Sequence, residues 1–127
     1  MERSGSTTNL MESQILKINH TEEEGYHLLT LSGEIDASTA KDLDGFLNDI
    51  TKGSPKNIVF DLANVEYISS AGIGLFIYYS GEIQKQDQKL VITQPNATVR
   101  EILTLLALDK YIPITATKEE GLEMIAA

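Results

Sequence analysis

Apolar positions along this chain fall into short blocks of alternating period, strand-like blocks handing over to helix-like ones. The first two, residues 14–20 and 26–32, are brief runs of Ile, Leu and Tyr with polar residues between them, separated by Thr21, Glu22, Glu23, Glu24 and Gly25. Two β-compatible runs joined by a charged link that ends in glycine predict an antiparallel hairpin. Farther on, Ala40, Leu43, Leu47 and Ile50 recur at helical spacing with Phe46 beside them. This predicts a helix over 38–52, ended by Gly53 and Pro55. Gly45 inside that helix costs about 1 kcal/mol relative to alanine and is expected to mark a close packing contact.

Residues 57–62 are nearly continuous in apolar side chains, as in a strand covered on both faces. A loop ending in Ser69 and Ser70 follows, and then a helix over 71–86 with Ile73, Phe76, Ile77 and Ile83 on one face. Leu75, Tyr78 and Tyr79 lie off that face; they are either half-buried against neighbouring elements or an aromatic and aliphatic patch suited to a protein partner. Residues 89–93 form another short buried strand. Pro95 and Asn96 then open a helix carrying Val99, Ile102, Leu103 and Leu106, and a strand over 112–116 and a helix over 118–125 close the chain. Strands separated by helices imply parallel pairs with right-handed crossovers, so the expected fold is α/β with a mixed sheet. A length of 127 residues suits one domain and one core. The polar, small residues 1–10 read as a disordered tail, leaving 11–127 as the folded domain.

Charge and composition narrow the function. Nineteen acidic residues against ten basic ones give a net charge of −9, which repels nucleic acid and anionic lipid and either favours a protein partner or simply keeps a small domain soluble. With no cysteine, disulfides and thiolate chemistry are excluded. No stretch approaches the ~20 apolar residues that span a bilayer, and the first residues carry no signal-peptide core, so a cytoplasmic location with no membrane contact is expected. The two histidines, His20 and His27, fall on the opening strands and read as exposed strand residues rather than a metal pair. Neither a Gly-x-Ser-x-Gly elbow nor a Gly-Lys-Ser/Thr phosphate loop occurs, and Ile77 stands where a dinucleotide fingerprint would need its third glycine. No catalytic role and no cofactor are expected.

The remaining candidate chemistry lies at the two serines. Amides in the first turn of a helix lack intrahelical acceptors and carry the positive end of the helix dipole, so a phosphate on Ser69 or Ser70 would meet ready donors. Serine is also a preferred N-cap, and capping alone would account for one of the pair. Asp36, in Gly33-Glu34-Ile35-Asp36, has the same two readings: a cap for the helix over 38–52, or part of a site.

The run Asp61-Leu62-x-x-Val65-x-Tyr67-Ile68-Ser69-Ser70-Ala71-Gly72-Ile73-Gly74 resembles the signature of the STAS domain, the family of bacterial anti-sigma factor antagonists and sulphate-transporter tails. The Gly-Glu-Ile-Asp run and residues 106–114 are similar to two further segments of that family, so the resemblance covers about 14–125. It implies a STAS-like single domain, with a mixed sheet of four to five strands and helices packed mainly on one face. In the antagonists the usual form is Asp-Ser-Ser/Thr/Ala-Gly-Leu-Gly, with the first Ser phosphorylated; that residue corresponds to Ser70, with Ser69 as the alternative acceptor standing where the family has Asp. Asp36 corresponds to the acidic residue near the phosphorylated serine. Ala71, Gly72, Gly74, Leu75 and Tyr79 are the accompanying candidates for partner contact. The implied function is a phosphorylation-controlled switch whose unphosphorylated form binds an anti-sigma factor serine kinase and frees a sigma factor, reset by a serine phosphatase. Two other readings stay open: a non-switching STAS scaffold subunit of a chemotaxis, lipid-transport or stress-signalling complex, and a nucleotide-binding module.

Overall fold

The computed structural model describes residues 7–12, 16–53 and 55–126, the first of these segments as backbone only. One six-stranded sheet holds the fold in the order β1-β2-β3-β4-β5-β6, with β1 (Thr7–Glu12), β2 (Leu16–Glu23), β3 (Tyr26–Ile35), β4 (Asn57–Ile68), β5 (Leu90–Thr93) and β6 (Ile114–Thr115). The first three strands pair antiparallel and the last four parallel. Four helices connect or close them: α1 (Ala37–Lys52), α2 (Ser70–Gln84), α3 (Ala97–Leu105) and α4 (Lys118–Ala126). The mixed α/β sheet is the expected architecture.

The sixth strand comes from a segment that composition assigns to a tail. Thr7 to Glu12 pairs antiparallel with β2, Thr7 opposite Glu22 and Glu12 opposite Lys17, so residues 7–10 belong to the sheet. Extended backbone there satisfies the outer N–H and C=O groups of β2, a gain that side-chain composition does not reveal. Residues 1–6, and residues 14 and 15 of the expected first strand, lie outside the described residues.

Leu29, Leu31, Phe60, Leu62, Leu90 and Ile92 point to one face of the sheet and meet Leu43 and Leu47 of α1, Phe76 and Ile83 of α2, and Val99 and Leu103 of α3. The alternate residues Val91 and Thr93 point the other way, toward Gly121 of α4. Helices therefore pack mainly on one face, with α4 alone on the second. In α2 the buried arc is Ile73, Phe76, Tyr79 and Ile83, while Ile77 is exposed. This rotation away from the expected face follows from α1, which covers the Tyr79 flank of α2. Tyr79 is 3% exposed and its hydroxyl donates to the Asp44 carboxylate at 2.5 Å, tying the helices together. Gly45 does not mark a close contact: a Cβ there would meet nothing within 4 Å.

Both histidines are buried rather than exposed, at 3% and 4%, and bond to each other across the hairpin, His20 Nε2 to His27 Nδ1 at 3.0 Å. Phe46 of α1 presents its ring edge-on to His20 at a 5.3 Å centroid distance. One ring must donate while the other accepts, so the bond requires a neutral acceptor. Burial holds the His20 imidazole below its ordinary range, with smaller opposing effects from Glu22, which raises it, and Lys56, which lowers it. A depressed histidine contributes stability that is present above the unfolded value of about 6.5 and is lost as pH falls below it toward the folded value. We therefore expect the Tm to drop between pH 7 and 5, above the range in which carboxylates titrate. A double variant His20→Leu/His27→Leu should hold its Tm across that window, and a wild-type Tm that stays level there would contradict the account.

Candidate functional site

The two parallel strands that carry the site run farther than the sequence suggests. β4 continues through residues 63–68, expected as loop, because β3 also continues through Gly33 to Ile35 and pairs with it, Ile35 opposite Ile68. Irregularities at Thr30/Ser32 and at Gly33/Glu34, with Gly33 at φ +111°, absorb the shift in register; glycine adopts that conformation without steric cost. The consequence is positional: Asp36 and Ser69 each follow one member of the same cross-strand pair. The Ser69 N–H donates to the Ile35 carbonyl at 2.8 Å and closes the ladder. Two helix N-termini thus open side by side at one end of the sheet.

Asp36 caps the first of these N-termini, as the sequence allows, and of the serine pair left open as caps it is Ser69 that caps the second. The Asp36 carboxylate accepts from the amides of Ser38 at 2.9 Å and Thr39 at 2.8 Å, and the Thr39 hydroxyl accepts from the Asp36 amide at 2.9 Å, a reciprocal capping box. Thr39 also donates to the Glu34 carbonyl at 2.9 Å, which anchors the box to the end of β3. The Thr39 amide foremost holds the Asp36 carboxyl below its usual range, so the group is ionised at neutral pH. Asp36 therefore both caps α1 and places a negative charge beside the serine turn.

Ser69 and Ser70 have different tasks. Ser69 is the N-cap of α2: its Oγ accepts from the Gly72 amide at 3.4 Å and its carbonyl accepts from Ile73 at 3.0 Å. Ser70 is the first residue of the helix and is exposed. The amides of Ser70 and Ala71 precede the first intrahelical donor, so both lie in the anion-favouring turn.

The glycines divide as well. Gly72 is buried, and a Cβ on it would stand 2.7 Å from Ile35 Cγ2 and 3.0 Å from Ile68 Cγ1, so only glycine lets α2 approach the strand ends. Gly74 faces open space. Ala71 is exposed and Leu75 half-buried against the core. Tyr79, a candidate for partner contact, is instead held in the core by its ring and by Asp44; burial, and then the Asp44 hydrogen bond, push its phenol above the ordinary range. The aromatic that faces solvent is its neighbour Tyr78, 57% exposed. Helical periodicity alone could not separate these two adjacent tyrosines, because the choice depends on where α1 lies.

Neither histidine can serve Ser70 as a base. His27 is near the start of β3, eight residues before Ile35, or about 26 Å along the strand. Among the described residues no group of three or more His, Cys, Asp or Glu converges to hold a metal, and no helix is long and apolar enough to cross a membrane.

Known proteins are similar to this chain in sequence and in fold. The anti-sigma-F factor antagonist RsfB of Mycobacterium tuberculosis is 26% identical over 107 residues, covering 84% of this chain and 87% of its own. The anti-sigma-B factor antagonist of Staphylococcus aureus is 29% identical over 104 residues, covering 82% and 96%. Among solved structures, the anti-sigma factor antagonist SpoIIAA in its unphosphorylated form aligns over 94% of this chain and 96% of its own, with 18% identity and a TM-score of 0.69. The Bacillus cell fate determinant SpoIIAA in its phosphorylated form aligns over 94% of this chain and 99% of its own, with 18% identity and a TM-score of 0.62. These likenesses are to SpoIIAA in fold. The STAS domain family profile matches residues 17–121, and the chain belongs to that family.

Proposed function

We propose that this protein is an anti-sigma factor antagonist whose unphosphorylated form binds an anti-sigma factor and whose binding is switched off by phosphorylation of Ser70. The observation that carries the reading is the division of labour at the start of α2: Ser69 uses its hydroxyl as the cap, while Ser70 is exposed one residue inside the helix. The anti-sigma factor is itself the serine kinase and supplies the ATP; a serine phosphatase resets the site. The domain contributes binding and an acceptor hydroxyl, with no turnover of its own and no membrane or nucleic-acid contact.

A phosphate on Ser70 adds about −1.5 to −2 charges and three acceptor oxygens. The first-turn amides of α2 stabilise that charge from within, so the backbone has no reason to rearrange. From the partner's side the same group is an obstacle: it adds bulk and hydration at the docking surface, beside an Asp36 carboxylate already ionised. The switch acts through local repulsion and blocked packing.

The test is a titration with the purified cognate anti-sigma factor. Ser70→Asp should weaken the complex at least tenfold, while the amide shifts of α3 (Ala97–Leu105) stay in place. Phosphopeptide mapping should find the modification on Ser70 and lose it in Ser70→Ala. Undiminished binding by Ser70→Asp would instead identify a non-switching scaffold, and phosphate found only on Ser69 would overturn the assignment.

A further inference from the structure

Three helix-interior glycines, Gly45 on α1 and Gly74 and Gly81 on α2, have nothing within 4 Å of the position a Cβ would take, and none has a positive φ. Glycine in a helix interior is unfavourable relative to alanine, so these positions carry a cost with no return in packing or backbone geometry. Gly45 lies in a furrow of about 500 Å³ between α1 and α2, lined by Asp44, Gly45, Asn48, Leu75, Tyr78 and Tyr79. A second hollow shares Asn48, Tyr78 and Tyr79 and carries the furrow on to Glu82 and Lys52. The missing Cβ keeps it open.

The furrow borders the exposed strip of α2 that begins at Ser70, because Tyr78 of its lining directly follows Ile77 of that strip. Ser70, Gly74 and Ile77 form one exposed strip of α2, with Tyr78 turned from it toward α1, and Tyr78 is about 12 Å along the helix axis from Ser70. Its chemistry is specific. The Tyr79 hydroxyl donates to Oδ1 of Asp44 and fixes that carboxylate at the furrow wall. In the second hollow Glu82 adds a carboxylate, paired at 3.0 Å with Lys85 in an exposed contact of the kind that contributes little, and Lys52 adds a cation, so the anionic end of the furrow is the one at Asp44. Exposed Tyr78 supplies an aromatic face. A planar cation that stacks on an aromatic ring while donating to carboxylates matches this lining better than an ammonium or an apolar group.

Building on the anti-sigma factor reading, we propose that the α1–α2 furrow is a second part of the docking surface and receives an arginine side chain of the partner protein, stacked on Tyr78 and bonded to Asp44. The partner surface that meets this domain is therefore basic, which complements a chain of net charge −9. Ser70 governs whether the partner can approach; the furrow governs which partner fits.

The experiment uses the same purified anti-sigma factor, titrated against Gly45→Gln, Asp44→Asn, Tyr78→Ala and Ser70→Asp. Gly45→Gln should raise the Tm, because glutamine is the better helix former and its Cβ meets nothing within 4 Å, yet raise Kd tenfold or more as the rest of the side chain occupies the open furrow. Asp44→Asn retains an acceptor for Tyr79 and should weaken binding with a shallower salt dependence than wild type. Wild-type affinity in both Gly45→Gln and Tyr78→Ala would overturn the proposal. If Ser70→Asp weakens the complex while the furrow variants do not, the switch stands and the furrow falls; the converse keeps the furrow as a docking site and removes the switch. Absence of any wild-type complex overturns both.

Discussion

Phe76→Ala should lower the unfolding free energy by about 3–5 kcal/mol, the range for truncating a fully buried aromatic. The ring is completely buried at the centre of α2 and meets Phe60 of β4 edge-on at a centroid distance of 4.8 Å. Truncation leaves a cavity between helix and sheet and also removes an aromatic pair worth about 0.5–1.5 kcal/mol beyond its buried area. Domains of this size have roughly 5–15 kcal/mol in total, so the variant should sit near the edge of folding at 37 °C. Phe76→Leu, which refills most of the volume, should retain the larger part of the stability. Urea unfolding of the three proteins measures this directly. A loss below about 1 kcal/mol for Phe76→Ala would mean that the core under the serine turn collapses freely, and α2 could not then be the rigid support the switch requires.

Much of this architecture is legible in the sequence, for reasons that differ by element. Leu43, Leu47, Val99 and Leu103 announce their helices because an apolar stripe at 3.6-residue spacing has one simple reading. Asp36 and the Ser69-Ser70 pair are legible as caps because short oxygen-bearing side chains at a helix start have a defined task, although which serine does the capping is settled only by where α2 begins. The continuation of β4 to Ile68 is not legible, because it depends on a partner strand bent by Gly33 that local pattern does not describe. β1 escapes for a similar reason: its gain is backbone pairing to β2. Pattern leaves Tyr79 open between half-burial and a partner-facing patch and puts His20 and His27 on the surface, whereas all three are buried, because their burial depends on α1 and on one another. At the site itself the serine turn is readable from residue types, whereas the furrow beside it belongs to two helices distant in sequence and becomes visible only when they pack.

Gly72 and Gly74 look equivalent in the sequence, and substituting them should separate them by sign. Gly74→Ala should stabilise the protein by up to about 1 kcal/mol, the helix preference of alanine over glycine where the new methyl meets nothing. Gly72→Ala should instead destabilise it by about 1–3 kcal/mol, the cost of overpacking, with that same preference included. Its Cβ would press at 2.7 Å on Ile35 and 3.0 Å on Ile68, the cross-strand pair that precedes Asp36 and Ser69. Those two side chains have no slack, because Ile35 and Ile68 are themselves buried at the ends of β3 and β4. The methyl must therefore move the first turn of α2 away from the strands, and Ser70 moves with it. On the proposed reading, Gly72→Ala should weaken anti-sigma factor binding more than its stability loss explains at temperatures where it is fully folded, and should slow phosphorylation of an unaltered Ser70. Gly74→Ala serves as the matched control within the same helix. If a folded Gly72→Ala variant binds and is phosphorylated as wild type, the close approach of α2 to the strand ends is a packing feature only, and the position of Ser70 is less tightly specified than the paired N-termini imply.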